Sequence, residues 1–295
     1  METLKRDIRL TLIVVISTIL IIGVIVSLVG KNSVEINGYS AVLCCAIICI
    51  GTQWFAWIPA SIKQTERFYD LIGGLTYLTV IIFSLWAGSQ SESPSTRELI
   101  ISSLVVIWSL RLSFFLYRRI HRTGKDGRFD ELKNSPIRFL VPWTLQGLWV
   151  FLTMIVVIVI NSQNGSSPPL GIWDGLGLVV WISGFVIEVL ADNQKNVFNA
   201  KPENQGKWID SGLWSFSRHP NYFGEIMLWT SIALIALPSL SGMQYLTLIS
   251  PIFTYVLLVH ISGVRMLEDM GAKKWGHLEN YREYKSKTPR IFPKL

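Results

Sequence analysis

The chain has 295 residues, of which 50% are hydrophobic, 12% aromatic and only 16% charged, with a net charge of +7 and a mean hydropathy of +0.41. Such a composition lies outside the range of water-soluble domains. It recurrently offers apolar stretches near the ~20 residues that a helix needs to cross the hydrocarbon layer, and these are too long for the ~10-residue alternating strands of a membrane β-barrel.

In chain order the predicted spans cover residues 10–29, 39–60, 71–88, 99–117, 143–160, 172–190, 226–237 and 246–262. They predict an all-α fold, a polytopic transmembrane bundle of about seven to eight helices. The seventh stretch is short, as expected of a span that is tilted, interfacial or longer than its apolar part. Lys5, Arg6 and Arg9 precede the first stretch as they would a signal peptide. Its apolar run is too long for that role, and no small-x-small cleavage motif follows Val29, so it is read as a retained helix. Cys44, Cys45 and Cys49 sit inside the second stretch with no histidine or carboxylate beside them. They are expected to pack as small apolar side chains, with no metal site and no disulfide framework.

The basic residues are unevenly placed. Arg118, Arg119, Arg122, Lys125, Arg128, Lys133 and Arg138 follow the fourth stretch; Lys195, Lys201, Lys207 and Arg218 precede the seventh; Lys273, Lys274, Arg282, Lys285, Lys287 and Arg290 fill the tail. Segments 89–96, 161–171 and 238–245 carry no lysine and no arginine. With eight spans, the rule that positive loops stay inside puts every basic loop and both termini on the cytoplasmic side. The host would be a bacterial inner membrane or the endoplasmic reticulum. Topology and anionic lipid headgroups account for the charge, so no nucleic-acid partner is called for.

Nucleotide-binding and hydrolase motifs such as GxxxxGK[ST], GxGxxG after a strand, GxSxG and HExxH are absent. No linker, repeat or low-complexity segment marks a domain boundary. Three polar clusters remain. Glu188 and Asp192 stand four residues apart at the end of the sixth span, followed by Asn193, Gln194 and Asn196. They are either solvated in the headgroup zone or poised for a polar ligand rich in hydroxyls and amides. Residues 212–225, Gly-Leu-Trp-Ser-Phe-Ser-Arg-His-Pro-Asn-Tyr-Phe-Gly-Glu, pack a cation, an imidazole, an amide, a phenol and a carboxylate just before an apolar run. Pro220 is expected to open a helix whose first turn offers free N–H groups, with Arg218 able to hold a phosphate in bidentate fashion. An interfacial belt of Trp, Tyr and Arg would not call for His219, Asn221 and Glu225 as well. The tail, with Glu268 and then Tyr281-Arg282-Glu283-Tyr284-Lys285, is either a solvated helix on the lipid or a lid over a cytoplasmic ligand.

At these residues the sequence resembles the steroid 5α-reductase-like family of membrane proteins, in its bacterial-type branch of uncharacterised reductase-like proteins. The likeness rests on Leu213-Trp214 and the run Ser217 to Glu225, supported by Asp70 and Gly73, Leu110-Arg111-Leu112 with Arg118-Arg119, Asp126-x-Arg128-Phe129, Glu188-x-x-x-Asp192-x-Gln194, Ser262-Gly263 with Leu267-Glu268, and Tyr281 to Tyr284. It spans roughly residues 65–293, leaving 1–64 as N-terminal transmembrane helices and 65–295 as the reductase-like domain with a cytoplasmic cofactor site. The resemblance implies an NADPH-dependent reductase acting on an activated carbon–carbon double bond of a steroid-like or other lipid that enters from the membrane. Asp192, Asn221 and Glu225 would bind the adenosine, ribose or nicotinamide parts, and Arg218, Arg128 and Arg111 would face phosphates. Glu188, Trp214, His219, Tyr222, Glu268 and Tyr284 complete the expected cofactor site.

In the steroid reductases a glutamate on an early helix and a tyrosine one turn before the basic helix end polarise the substrate ketone. Counting back from Arg111, the tyrosine position holds Trp108, whose indole N–H is a weaker donor than a phenol. Asp70 or Glu66, kept protonated by burial, is expected to help it. The RHPxYxG element and the YREYK tail also resemble membrane S-adenosylmethionine-dependent methyltransferases of lipid or isoprenylcysteine type. A non-catalytic lipid-binding protein is the third reading.

Overall fold

The structure, a computed structural model, describes residues 2–124 and 126–294, without the side chains of Thr3, Arg122 and Thr123; Lys125 of the basic loop thus lies outside the described residues. The regular structure is almost wholly helical, and eight helices are long and apolar enough to cross a membrane. Residues 1–170 with 236–247 form one compact unit, and residues 171–235 with 248–295 a second.

The first unit contains α1 (Glu2–Val29), a short hairpin of β1 (Glu35–Ile36) and β2 (Tyr39–Ser40), α2 (Ala41–Ile62), α3 (Tyr69–Ser89), α4 (Thr96–Thr123) and α5 (Pro136–Asn161). α5 is the central element: it is buried almost throughout from Gln146 to Asn161, and α1, α2 and α3 pack on it. Its neighbours are set by polar marks within the apolar helices. α3 runs beside it in register, with the Tyr69 ring edge-on to Trp143 at 5.0 Å. Further along, the Tyr77 hydroxyl meets that of Thr153 at 2.8 Å, and the Asn161 amide donates to Ser84 at 3.1 Å. Cys45 and Cys49 are fully buried in α2, as expected of apolar thiols.

Helix ends follow local capping chemistry. The Ser40 hydroxyl accepts from the Leu43 N–H, and Ser95 and Glu98 cap α4 reciprocally, a Ser-x-x-Glu box. Ser135 caps α5 ahead of Pro136 in its first turn, and Gly124 ends α4 with φ +81°, where a side chain would be strained. Beside the α4 cap lies a buried cation. Arg97, 1% exposed, donates to the Pro168 and Pro169 carbonyls at 2.7 and 3.1 Å and to the Ser239 hydroxyl at 3.1 Å.

The second unit holds α6 (Ile172–Ala200), a single turn α7 (Leu213–Phe216), α8 (Pro220–Ala236), α9 (Ile249–Val256), α10 (Gly263–Trp275) and α11 (Glu279–Lys287), with one π-helical turn, Leu257–Ile261, between α9 and α10. The seventh span is longer than its apolar core, running Pro220–Ser239, because the polar run Asn221–Glu225 is already helical. α6 buries one stripe, Gly177, Trp181, Gly184, Glu188, Ala191 and Asp192, at helical spacing. Glycines on it let α8 approach backbone to backbone: a Cβ on Gly184 would stand 2.8 Å from the Gly224 carbonyl oxygen, and one on Gly224 2.8 Å from the Glu188 nitrogen.

Candidate functional site

The same close approach positions the acidic pair. Glu188 and Asp192 continue the stripe that packs on α8, and they are only 2% and 6% exposed. The headgroup-solvated alternative is thereby set aside: a carboxylate so placed must be satisfied by the protein or by a ligand. Glu225, 6% exposed, follows directly on the glycine that meets Glu188. Two residues on from Asp192, the Gln194 side-chain oxygen accepts from the Leu213 N–H at 3.0 Å. That bond is possible because Gly212, at φ +62°, has no side chain against the amide. Trp214 is buried, donates its indole N–H to the Ala191 carbonyl at 3.1 Å, and carries the Lys195 ammonium over its ring at 4.7 Å.

The stretch after α7 is held by the tail. The Arg218 N–H bonds the Pro289 carbonyl, the Ser217 hydroxyl donates to the Ile291 carbonyl, and the Tyr284 hydroxyl donates to the Trp214 carbonyl at 2.8 Å. Burial pushes the Tyr284 phenol up despite the Arg218 charge, so it stays a donor at neutral pH. At the centre Glu268 of α10 collects three partners. His219 Nε2 lies 3.1 Å and Arg218 Nε 3.3 Å from its Oε1, and Lys285 Nζ lies 2.9 Å from its Oε2. His219, stacked on Tyr222 at 5.8 Å, has its pKa lowered, chiefly by burial and only partly countered by Glu268. Tyr222 in turn rests on Gly263, where a Cβ would come within 2.9 Å of its ring. His219 Nδ1 and Asn221 Oδ1 are buried without a hydrogen-bond partner among the described residues.

Two hollows open in this unit. One, about 470 Å³, is lined by Arg218, Arg282, Lys285, Tyr281 and Ser286, with Ala272 and Gly276 at the C-terminal end of α10. The other, about 380 Å³, is lined by amides and apolar groups including Asn193, Gln194, Asn204, Phe198 and Ile209, with Lys201. All the expected cofactor residues from Glu188 to Tyr284 thus fall within one unit. Arg282 and Lys285 were missed by the sequence reading as site residues. Their signal is the spacing of Tyr281, Arg282, Tyr284 and Lys285 on one short helix.

The remaining expected residues belong to the first unit. Glu66 is 4% exposed, and both its oxygens are engaged: Oε1 accepts from the Asp126 N–H and Oε2 from Lys133 Nζ, each at 3.0 Å. That is a clamp on the loop after α4, made by one backbone hydrogen bond and an ion pair with Lys133. Arg128 grips Asp126 through Nε and Nη2, the shortest contact being 2.6 Å. Burial works against its charge, but Asp126, Asp70 and Tyr69 outweigh it and raise the pKa. The guanidinium expected to face phosphates is therefore already paired with a carboxylate. Arg111 lies over the Phe115 ring at 5.2 Å. Trp108 is 3% exposed and edge-on to Tyr77 at 5.3 Å, whereas Asp70, at the start of α3, is half-buried.

Comparison with known proteins places these features. Residues 56–288 match the family model described as "Protein of unknown function (DUF1295)". An uncharacterised protein of Schizosaccharomyces pombe is 27% identical over 263 residues, 79% of this chain and 73% of that protein. A probable O-methyltransferase of Ustilaginoidea virens is 33% identical over 84 residues, covering 28% of this chain and 30% of its own length. The Delta(14)-sterol reductase of Arabidopsis thaliana is 22% identical over 199 residues, covering 60% and 48%. No solved structure matches the chain significantly. With some four-fifths of its length under one family model, the chain belongs to DUF1295, the steroid 5α-reductase-like family of membrane proteins.

Proposed function

We propose that the protein is a membrane-embedded reductase that uses NADPH to reduce an activated carbon–carbon double bond in a lipid-like substrate. The observation that carries this reading is the hollow of about 470 Å³ where Arg218, Arg282 and Lys285 converge. Three cations, two of which share the Glu268 carboxylate, leave a positive balance suited to a multiply phosphorylated ligand. The residues fit a dinucleotide in other respects too: the unpartnered His219 Nδ1 and Asn221 Oδ1 offer buried polar contacts, and the buried carboxylates Glu188, Asp192 and Glu225 suit hydroxyls and amides. When bound, the nicotinamide would supply a hydride. Arg218, Arg282 and Lys285 would hold phosphates, Glu268 would limit their mutual repulsion, and Asp70 or Trp108 would donate to a carbonyl oxygen as charge develops there. The similarity to a sterol reductase agrees with this chemistry.

The methyltransferase reading draws on the match to a probable O-methyltransferase. Its cofactor carries a sulfonium cation and no phosphate, which a hollow lined by three cations disfavours. Cofactor binding to the purified protein in mild detergent decides between them. NADPH should bind more tightly than NADH, and Arg218→Ala should weaken NADPH by about ten-fold or more, the effect of one charge-assisted contact. Binding of S-adenosylmethionine with no affinity for NADPH would overturn the reductase reading.

A further inference from the structure

The last stretch long and apolar enough to cross a membrane, Gly242–Trp275, has 34 residues. As one straight helix it would measure about 50 Å, against a hydrocarbon layer of about 30 Å. The chain does not run straight. After α9 comes the π-helical turn Leu257–Ile261, and at Ser262, with φ −120° and ψ −57°, the backbone leaves helical geometry before α10 begins at Gly263. The chemistry changes at the same point. Arg265, Glu268, Asp269, Lys273 and Lys274 place five charges within the 13 residues of α10, which keeps this helix out of the hydrocarbon.

α10 has two unlike sides. Val264, Glu268, Gly271 and Trp275 recur at helical spacing and face the protein. Val264 is buried with Ile226 and Leu258, Glu268 holds the Arg218 cluster, and a Cβ on Gly271 would stand 2.3 Å from the Tyr281 hydroxyl. On the other side Met266, Leu267 and Met270 are exposed, Met270 by 62%. Lys273 and Lys274 follow Met270 by three and four residues, so they border this apolar side. Among the described residues neither lysine is paired with a carboxylate; Lys274 Nζ lies 4.7 Å from the centre of the Trp275 ring. Just before α10, Ile252, Val256 and Ile261 are exposed on the span itself, where acyl chains cover them. Exposed apolar side chains thus carry on from the span into α10, and at its far end they meet free positive charge.

We propose that α10 is an interfacial helix that docks on anionic phospholipid headgroups, with Met266, Leu267 and Met270 among the outermost acyl carbons and Lys273 and Lys274 on the phosphates. A helix with lysines beside an apolar side lies in the plane of the headgroups, and its lysines are drawn to the negative potential of an anionic leaflet. The leaflet is the one on the side where the chain ends. Glu268 stands on the inward side of the same short helix, so the contact that fixes α10 on the membrane also fixes the carboxylate that gathers Arg218, His219 and Lys285. The inference is independent of the reductase reading, since it needs no cofactor and no turnover.

The test places the full chain in nanodiscs of phosphatidylcholine alone or of phosphatidylcholine mixed with phosphatidylglycerol. Met270→Cys, in a background without Cys44, Cys45 and Cys49, carries a fluorophore whose access to the neutral quencher acrylamide is measured. Phosphatidylglycerol should lower the quenching about three-fold, and salt near ~1 M, which cuts the screening length to about 3 Å, should restore it. Lys273→Gln combined with Lys274→Gln should abolish the lipid difference; both lysines are exposed, so the fold tolerates the change. A label at Asp269→Cys, exposed on the flank away from the apolar side, should stay open to acrylamide in both lipids. Equal quenching at position 270 in the two lipids would overturn the proposal. So would protection by soluble glycerol phosphate in phosphatidylcholine nanodiscs, the mark of a free-phosphate site. Protection in detergent that grows with protein concentration would assign the face to a second copy of the chain and overturn it too. The unlabelled wild-type chain gives a second measurement: its thermal unfolding midpoint should be higher with phosphatidylglycerol, and equal midpoints would count against docking.

Discussion

At the residue scale the charges around Glu268 set the behaviour of the site. Removing its charge leaves Arg218, His219 and Lys285 facing one another in a half-buried setting. Glu268→Gln should destabilise the protein by about 2–3 kcal/mol, less than a fully buried pair would show because Lys285 keeps access to water. Thermal unfolding in detergent would measure it, and an unchanged midpoint would contradict the arrangement. His219 gives a second prediction. Its pKa is depressed in the folded protein, so the neutral ring is the one the fold prefers. That stability is fully present above the ordinary histidine value of 6.5 and is lost as pH falls through the depressed one. Unfolding midpoints followed downward from pH 7 should decline, and His219→Gln should flatten the decline. The other three histidines, His121, His260 and His277, are exposed. The residue chemistry of this cluster was legible in the sequence because Arg218, His219, Asn221 and Glu225 fall within eight positions. The Glu66 clamp was not: Lys133 is 67 positions away, and no local pattern announces a partner at that distance.

At the element scale the decisive contact is the glycine-lined crossing of α6 and α8. Gly224→Ala would drive a methyl toward the Gly184 carbonyl and the Glu188 nitrogen, both backbone atoms that cannot swing aside. A loss of about 1–3 kcal/mol is expected, together with weaker cofactor binding, because Glu188 and Glu225 are carried by this crossing. Gly175→Ala on α6 meets nothing within 4 Å and should be neutral or slightly stabilising, as alanine is the better helix former. Comparing the two variants by thermal unfolding separates close packing from any general effect of changing a helical glycine. Hydropathy located every span, since apolar runs are hard to mistake. It misplaced their ends, because polar residues such as Arg97, Glu98 and Asn221 are helical here, and hydropathy registers polarity rather than backbone bonding. The boundary between the units escaped the sequence reading although residues 162–171, which join α5 and α6, are rich in Ser, Gly and Pro, because residues 236–247 return to the first unit from far along the chain.

For the whole molecule, eight helices are long and apolar enough to cross a membrane, and eight crossings would return the chain to the side from which it started. Cysteines placed singly at Gly165 and at Asp210, in a background without Cys44, Cys45 and Cys49, should be labelled from opposite faces of sealed vesicles, with Asp210 on the cytoplasmic face. Labelling of both from one side would refute the eight-span arrangement, and a reversed result would refute the orientation drawn from the basic loops. A count of about seven to eight spans, the clustering of lysine and arginine, and the family likeness were all readable from sequence. How the chain divides into units was not, since it depends on contacts between residues far apart.

Arg97 gives that division a consequence for biosynthesis. The guanidinium near the start of α4 is satisfied partly by Ser239, which the ribosome supplies only after α5, α6 and α8 have been made. Residues 236–247 complete the first unit although they follow most of the second in sequence. During translation the early helices therefore wait, with a buried cation short of one partner, until about four-fifths of the chain has emerged. A nascent chain halted before residue 236 should leave the loop around Pro168 open to protease, and one extended past residue 247 should close it. An Arg97→Leu chain would lose that dependence on length, so its protection should no longer change as the turn at Ser239 is added.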